Sequence, residues 1–274
     1  MKNILRLLIL LVFVTAFWSC EEEDDIPEFP LLMEFHPLYM SEVPITQNQN
    51  ADILWSGAIH PTYSHGEVTS LVGYRHARGP YGGFDAEDID MIEINMRRYR
   101  NTTTVNTYGD LPYISTKETG NSKLTYRYDK LIERINENDI STQLDNDTTV
   151  FEYAGSKVIS ATVYNAYEVI ENTFVWDIYD NLERVDFTIY PHDIRIAPSS
   201  GYHLFSDYDN AENLFYQMDC VENLFFRSLS RNNYREYTFV WHDNYGSSQQ
   251  TTRYFPIYYD EMGLPHYNYL PEEY

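Results

Sequence analysis

The chain has 274 residues, with 42 Asp and Glu against 19 Lys and Arg, and a formal charge of −23 at pH 7. That sign argues against nucleic acid as a partner, because such a surface repels phosphate backbones. The 16% aromatic content, with 26 Tyr, excludes a disordered chain, and two Cys exclude a disulfide framework.

Residues 1–19 read as a secretory signal peptide. Lys2 and Arg6 form a basic start, and Leu7 to Phe17 is an apolar run broken only by Thr15. It is too short for the ~20 residues of a spanning helix. Phe17-Trp18-Ser19-Cys20 resembles a bacterial lipobox, with Phe17 where Leu is usual. The resemblance implies cleavage before Cys20 and acylation of its thiol, palmitate among the chains, to give a lipoprotein. The alternative is an ordinary signal peptide with an incidental Cys. Glu21, Glu22, Glu23, Asp24 and Asp25 follow at once. This run resembles the surface-export signal of Bacteroidota lipoproteins, which implies an outer-membrane protein displayed at the cell surface. The plainer reading is a solvated linker, since runs of like charge repel and stay extended. With Pro27 and Pro30, residues 20–30 form an acidic flexible tether, and residues 31–274 form the folded, β-rich domain.

The first part of that domain is the less regular. Ile53 to Trp55 and Val68 to Val72 are short strand candidates, and Ile89 to Met96 is a stronger one. Pro80-Tyr81-Gly82-Gly83 is a turn, and Asn101 to Asn106 is polar, a connection or an exposed strand end. From about residue 120 the chain becomes periodic. Leu124–Ile135, Phe151–Val163 and Phe174–Val185 each read as strand, turn and strand, with Tyr128, Tyr153 and Tyr179 spaced by 25 and 26 residues. Leu124, Tyr126 and Tyr128 alternate with Thr125 and Arg127, the period of a half-buried antiparallel strand. Asp129-Lys130, Ala154-Gly155 and Asp180-Asn181 fall where hairpins turn. Glu212 to Arg227 is a candidate short helix, with Leu214, Met218, Val221 and Phe225 near helical spacing. The fold class is all-β: a curved antiparallel meander of repeated hairpins, clearest over 120–274, behind a less regular N-terminal segment.

The units Tyr128-Asp129, Tyr179-Asp180-Asn181-Leu182, Tyr208-Asp209-Asn210 and Tyr259-Asp260-Glu261-Met262-Gly263-Leu264-Pro265 resemble the Tyr-Asp hairpin repeats of a Bacteroidota surface lipoprotein family of unknown function. The resemblance covers roughly residues 120–274 and implies a porin-like β-meander. It transfers no catalytic residue.

Candidate sites are few. Asp85, Glu87, Asp88 and Asp90 beyond Gly82-Gly83, and Asp207, Asp209 and Glu212, carry oxygens of the kind calcium takes, without the spacing of a calcium loop. Both read more simply as solvated turns. His60, His65 and His76 share one stretch but lack zinc-ligand spacing. Cys220 reads as a buried small hydrophobe. There is no Gly-x-Ser-x-Gly elbow, phosphate loop or triad, so neither cofactor nor catalytic residue is assigned. Trp55, Trp176 and Trp241, with the C-terminal Tyr254, Tyr258, Tyr259, Tyr267 and Tyr269, are candidate platforms for sugar rings, although aromatics are also ordinary strand residues. Asp147-Thr148-Thr149 resembles a Bacteroidota O-glycosylation signal with Thr148 as acceptor, in what reads as a polar loop.

The function read from these features is non-catalytic binding of an extracellular glycan or protein by a membrane-anchored domain. A structural part in an outer-membrane complex is the alternative, and an extracellular hydrolase the third reading. Display has a direct check. Protease added to intact cells should remove the domain, and replacing Glu21 to Asp25 by Asn and Gln should protect it by retaining it on the inner face. Equal shaving of the two proteins would remove the export role of the acidic run.

Overall fold

A computed structural model describes residues 31–35, 39, 54–64, 67–76, 89–111, 114–138, 147–216, 218–221 and 224–267. Cys20 and the acidic run Glu21 to Asp25 lie outside them. Thirteen strands form one antiparallel sheet in strict sequence order. The first five are β1 (Leu54–Ser64), β2 (Glu67–His76), β3 (Ile89–Tyr99), β4 (Thr102–Leu111) and β5 (Ile114–Arg127). Next come β6 (Lys130–Asn138), β7 (Asp147–Ala154), β8 (Lys157–Tyr164) and β9 (Glu168–Trp176). The sheet ends with β10 (Leu182–Pro191), β11 (Ser199–Glu212), β12 (Asn232–His242) and β13 (Ser248–Tyr254). A short ribbon, β14 (Tyr258–Tyr259) and β15 (Pro265–His266), follows. The all-β meander is the fold. Its regular pairing starts earlier than the periodicity shows, and of the Asn101 to Asn106 stretch, read as a connection or an exposed strand end, Thr102 to Asn106 belong to β4.

Successive strands reverse direction, so the turns after odd-numbered strands share one end of the sheet, the tight-turn end. The turns after even-numbered strands share the opposite loop end. Tyr128 and Asp129, with φ of 51° and 58°, join β5 to β6, as a type I′ turn demands at both central positions. Gly155, at φ 62°, turns β7 into β8. Both turns lie one residue from the sequence assignment.

Four hairpins repeat one device. An aromatic residue ending the first strand faces a buried aliphatic residue on the second: Tyr63 opposite Val68, Tyr126 opposite Leu131, Tyr153 opposite Val158, Trp176 opposite Leu182. The residue after each aliphatic (Thr69, Ile132, Ile159 or Glu183) is an extra one that shifts the register. Such a bulge disrupts the local ladder and leaves backbone polar groups to be satisfied another way. The next hairpin's aromatic does this. Tyr153 Oη donates to the Leu131 carbonyl at 2.8 Å, Trp176 Nε1 to Val158 at 2.8 Å, and Tyr208 Oη in β11 to Leu182 at 2.5 Å.

The Tyr-Asp pairs, in contrast, occupy no common position. Tyr128-Asp129 is a two-residue turn, Tyr208-Asp209 lies inside β11, and Tyr179-Asp180 sits in the middle of a loop. What recurs is a five-residue loop opened by Asp. In 177–181, 243–247 and 260–264 the first Asp accepts the amides two and four residues on. The fourth residue, Asp180, Gly246 or Gly263, has positive φ.

The concave face is filled by the connection between β11 and β12. Phe215, Met218, Val221 and Leu224 are buried at intervals of three, and each amide from Met218 on donates to the carbonyl three residues before it. Only Phe225–Leu229 closes into a helix, α1, so the helix expected over Glu212 to Arg227 is a staircase of turns ending in a short helix. Phe225 meets the Phe151 ring at 5.2 Å, and Phe226 meets His203 at 4.8 Å. Phe187 covers Gly201, where a Cβ would stand 2.1 Å from the Val240 carbonyl oxygen.

Arg227 is 0% exposed. Its guanidinium carbon lies 4.0 Å from the Tyr234 ring centroid, 4.3 Å from Phe255, 5.1 Å from Tyr39 and 5.6 Å from Phe215. The cage draws in both chain ends. Phe35 bridges Ile59 of β1 on one side and Tyr267 on the other, and Tyr39 Oη donates to the Pro256 carbonyl. On the convex face Glu133, Glu152, Glu171 and Asp186 stand on neighbouring strands outside the buried row, among exposed apolar residues such as Val150 and Val175.

Two outcomes follow from this packing. Tyr153→Phe keeps the ring and strands the Leu131 carbonyl, so unfolding in urea should show a loss of about 1–3 kcal/mol. Burial pushes the His203 imidazole down from 6.5 to about 3. Between those values the unfolded chain binds a proton that the folded chain refuses, so this site's stability is complete above about pH 6.5 and is lost as pH falls toward 3. Acidifying from pH 7 to pH 5 should cost the wild type about 2 kcal/mol more than His203→Gln, read from urea midpoints at the two pH values.

Candidate functional site

The aromatic row that stitches the hairpins also floors a groove at the tight-turn end. Its larger lobe encloses about 1090 Å³ between the loop of residues 177–181 and the end of β11. Its smaller lobe encloses about 600 Å³ above the β5–β6 and β7–β8 turns. The lobes meet at Ser156, Trp176, Tyr216 and Leu229, which line both. Tyr126, Tyr153 and Trp176 line the smaller lobe, and Trp176 and Tyr208 the larger. A cation lies near each of the first three rings: Arg98 is 5.6 Å from Tyr126, Lys130 5.5 Å from Tyr153, and Lys157 5.5 Å from Trp176. Two rings on the rim of the larger lobe stand out into solvent, Tyr179 at 67% and Tyr216 at 63% exposed.

Most of the charge here is already committed. Asp177 accepts the amides of Tyr179 and Asn181 and so fixes its own loop. Asp180 pairs with Lys157 at 2.6 Å, and that contact holds its carboxyl below the usual range. Asp209 accepts from the Ala211 and Asn233 amides and from Tyr259 Oη. Arg98 pairs with Glu67, and Lys130 Nζ donates to the Gly155 carbonyl. Polar groups remain for a ligand. Among the described residues, the side chains of Asn210 and Glu212 and the hydroxyls of Tyr179 and Tyr216 have no hydrogen-bond partner.

Beneath the smaller lobe, Asp219 accepts from Tyr126 Oη at 3.2 Å, and Arg134 Nη2 donates to its main-chain carbonyl at 2.7 Å. Burial raises the Asp219 carboxyl above the usual range, opposed by the Arg134 charge. Beside it, burial pushes the Cys220 thiol up to about 12. A thiol so poorly ionised at neutral pH is a weak nucleophile, and its sulfur instead lies 3.2 Å from Met96 Sδ.

The three candidate Trp residues do not form one face. Trp176 is in the groove at the tight-turn end, with its indole N–H spent on Val158. Trp241 is at the loop end and packs edge-on against Phe187 at 6.0 Å and Phe239 at 6.4 Å. Trp55 is in β1, near the loop end, with its side chain outside the description. Thr148 is in β7, paired with Ile135 and Tyr164 and half buried, so the polar loop expected around it is a strand. Tyr267 is buried, and its hydroxyl donates to Asn233 at 2.5 Å. Tyr269 lies outside the described residues.

Of the acidic candidates, Asp207 pairs with Arg235 at 2.7 Å, and Asp209 is engaged as described. Asp85, Glu87 and Asp88 lie outside the described residues, and Asp90 is in β3. His60 stands 3.8 Å from Glu34, His76 ends β2, and His65 is outside the description. Among the described residues no three His, Cys, Asp or Glu side chains gather as a metal site. Tyr216 has no sequence signal, because a solitary Tyr in a loop carries no period, whereas Tyr179 shows in the sequence only as a mark of the repeat.

No family profile matches the chain, and no curated protein matches it. Among solved structures, a porin-like protein from Bacteroides vulgatus ATCC 8482 is similar over 78% of this chain and 87% of its own, at 13% identity and a TM-score of 0.47.

Proposed function

We propose that this protein is a lipoprotein anchored through Cys20 to the outer membrane, displayed at the cell surface, and that its groove binds an extracellular glycan without cleaving it. The observation that carries the binding reading is the pair of solvent-facing rings, Tyr179 and Tyr216, set over an aromatic floor beside unclaimed amide and carboxylate groups. Flat rings pack against the C–H faces of sugars, and the polar groups meet the hydroxyls. A concave site with a few convergent polar groups is also the usual form of a small-ligand site. The leader, Cys20 and the acidic run Glu21 to Asp25 support the anchored, surface-facing placement.

The test is retention of the soluble domain, from residue 27 onward, on insoluble neutral and acidic polysaccharides. Tyr179→Ala and Tyr216→Ala should each weaken retention by about threefold to tenfold, and the polysaccharide should be recovered at its original length. Release of shorter products would instead favour a hydrolase, for which Asp219 is the first residue to test. A structural role in an outer-membrane complex has one observation of its own. At the loop end, Tyr164, Val169 and Tyr190 align across three strands on the outer face, next to Ile194 at 97% exposure. Recovery of a membrane protein and no polysaccharide, sensitive to Ile194→Asp, would favour that reading over the groove.

A further inference from the structure

We infer that the groove takes a linear, neutral glycan chain of several units laid across the hairpin ends, and not a single sugar or a chain end. This rests on the glycan reading above and specifies its ligand.

The first reason is continuity. The two lobes share Ser156, Trp176, Tyr216 and Leu229, so a ligand filling one passes directly into the other. The second is the period of the floor. Tyr126, Tyr153, Trp176 and Tyr208 belong to β5, β7, β9 and β11, so each aromatic is two strands from the next. Six strand steps of about 4.8 Å give ~29 Å along the sheet, and somewhat less across its curve, the span of roughly four to six sugar units. A monosaccharide would contact one or two positions of this row and leave the rest in water. The third reason concerns charge. Three of the four cations along the groove are engaged, Arg98 with Glu67, Lys157 with Asp180 and Lys130 with the Gly155 carbonyl, and the fourth, Arg231, lies in the field of Asp180. The Glu212 carboxylate is left unpaired among the described residues, and the whole chain carries −23. A polyanionic glycan would have to break those pairs against a repelling field, whereas a neutral chain needs only ring faces and hydroxyl partners.

The experiment is a length series measured by calorimetry on the soluble domain. The probes are β-glucan, xylan and α-mannan oligosaccharides of one to six units, with oligogalacturonate as the anionic control. For the series that binds, affinity should rise at least about tenfold between two and five units and then level off. Tyr126→Leu, which removes the ring at the far end of the smaller lobe, should weaken the hexamer and leave the dimer unchanged, because the dimer is held at Tyr179 and Tyr216. A dimer that binds as tightly as the hexamer would overturn the extended groove while leaving the glycan reading in place. Tighter binding of oligogalacturonate would overturn the neutral ligand. Failure of every oligosaccharide, with the fold intact by circular dichroism, would overturn the glycan reading itself.

Discussion

A hydroxyl or an indole N–H reaching one hairpin back, to a carbonyl beside a bulge, is the contact on which the architecture depends. Bulges give a long sheet its curl, because the extra residue bends the strand and increases its twist. They also disturb the ladder near Leu131, Val158 and Leu182. Tyr153, Trp176 and Tyr208 repair that disturbance from the following unit. Curvature and cohesion thus come from the same residues. The aromatic ring must lie across the boundary between two hairpins, so the row of rings is continuous, and it becomes the floor of the groove.

The curl creates an interior, and the chain fills it with its own β11–β12 connection. Arg227 is the costly element there. Its guanidinium does not lose its charge inside a protein, and burying such a charge costs several kcal/mol. Four rings and the Tyr234 carbonyl, 3.4 Å from Nη1, offset that cost. Because Tyr39 and Phe255 come from opposite ends of the chain, the cage also draws the two ends of the meander together. The interior is mainly apolar, unlike the polar interior of a membrane barrel. Here Leu, Val and Phe point inward, while Glu133, Glu152, Glu171 and Asp186 point out. On β6 to β10 the convex side sets these carboxylates among the exposed Val150, Tyr164, Val175 and Tyr190.

The strands were legible in the sequence because alternation is local: Leu124, Tyr126, Val185 and Phe187 declare their faces from their immediate neighbours. The repeat was legible only as a rough spacing. Counting Tyr128, Tyr153 and Tyr179 picked residues in three different positions, a turn, a strand end and a loop. The residues that play one role are Tyr126, Tyr153, Trp176 and Tyr208, and loops of unequal length spoil their period. The bulges at Ile132 and Ile159 hid a second signal, because each shifts the alternation by one residue and makes a regular hairpin look imperfect. Trp176 is a candidate from its chemistry alone, and the fold places it in the groove. Asp219 and Tyr216 give no such sign, since only the return of the β11–β12 connection over the sheet brings them to the groove.

The stitching is one-sided. Among the described residues, the Tyr and Trp links from one hairpin to a carbonyl beside the previous bulge all lie at the tight-turn end. At the other end the loops of residues 165–167, 192–198 and 243–247 differ in length, and the first two are tied only loop to loop, by His192 Nε2 and the Asn165 carbonyl at 3.1 Å and by the His192 amide on the Tyr167 carbonyl. A chain built this way can lengthen, shorten or exchange those loops without disturbing the seam. It offers one fixed end and one end free to diversify, which makes it a scaffold on which foreign segments can be grafted at the loop end while the groove keeps its shape.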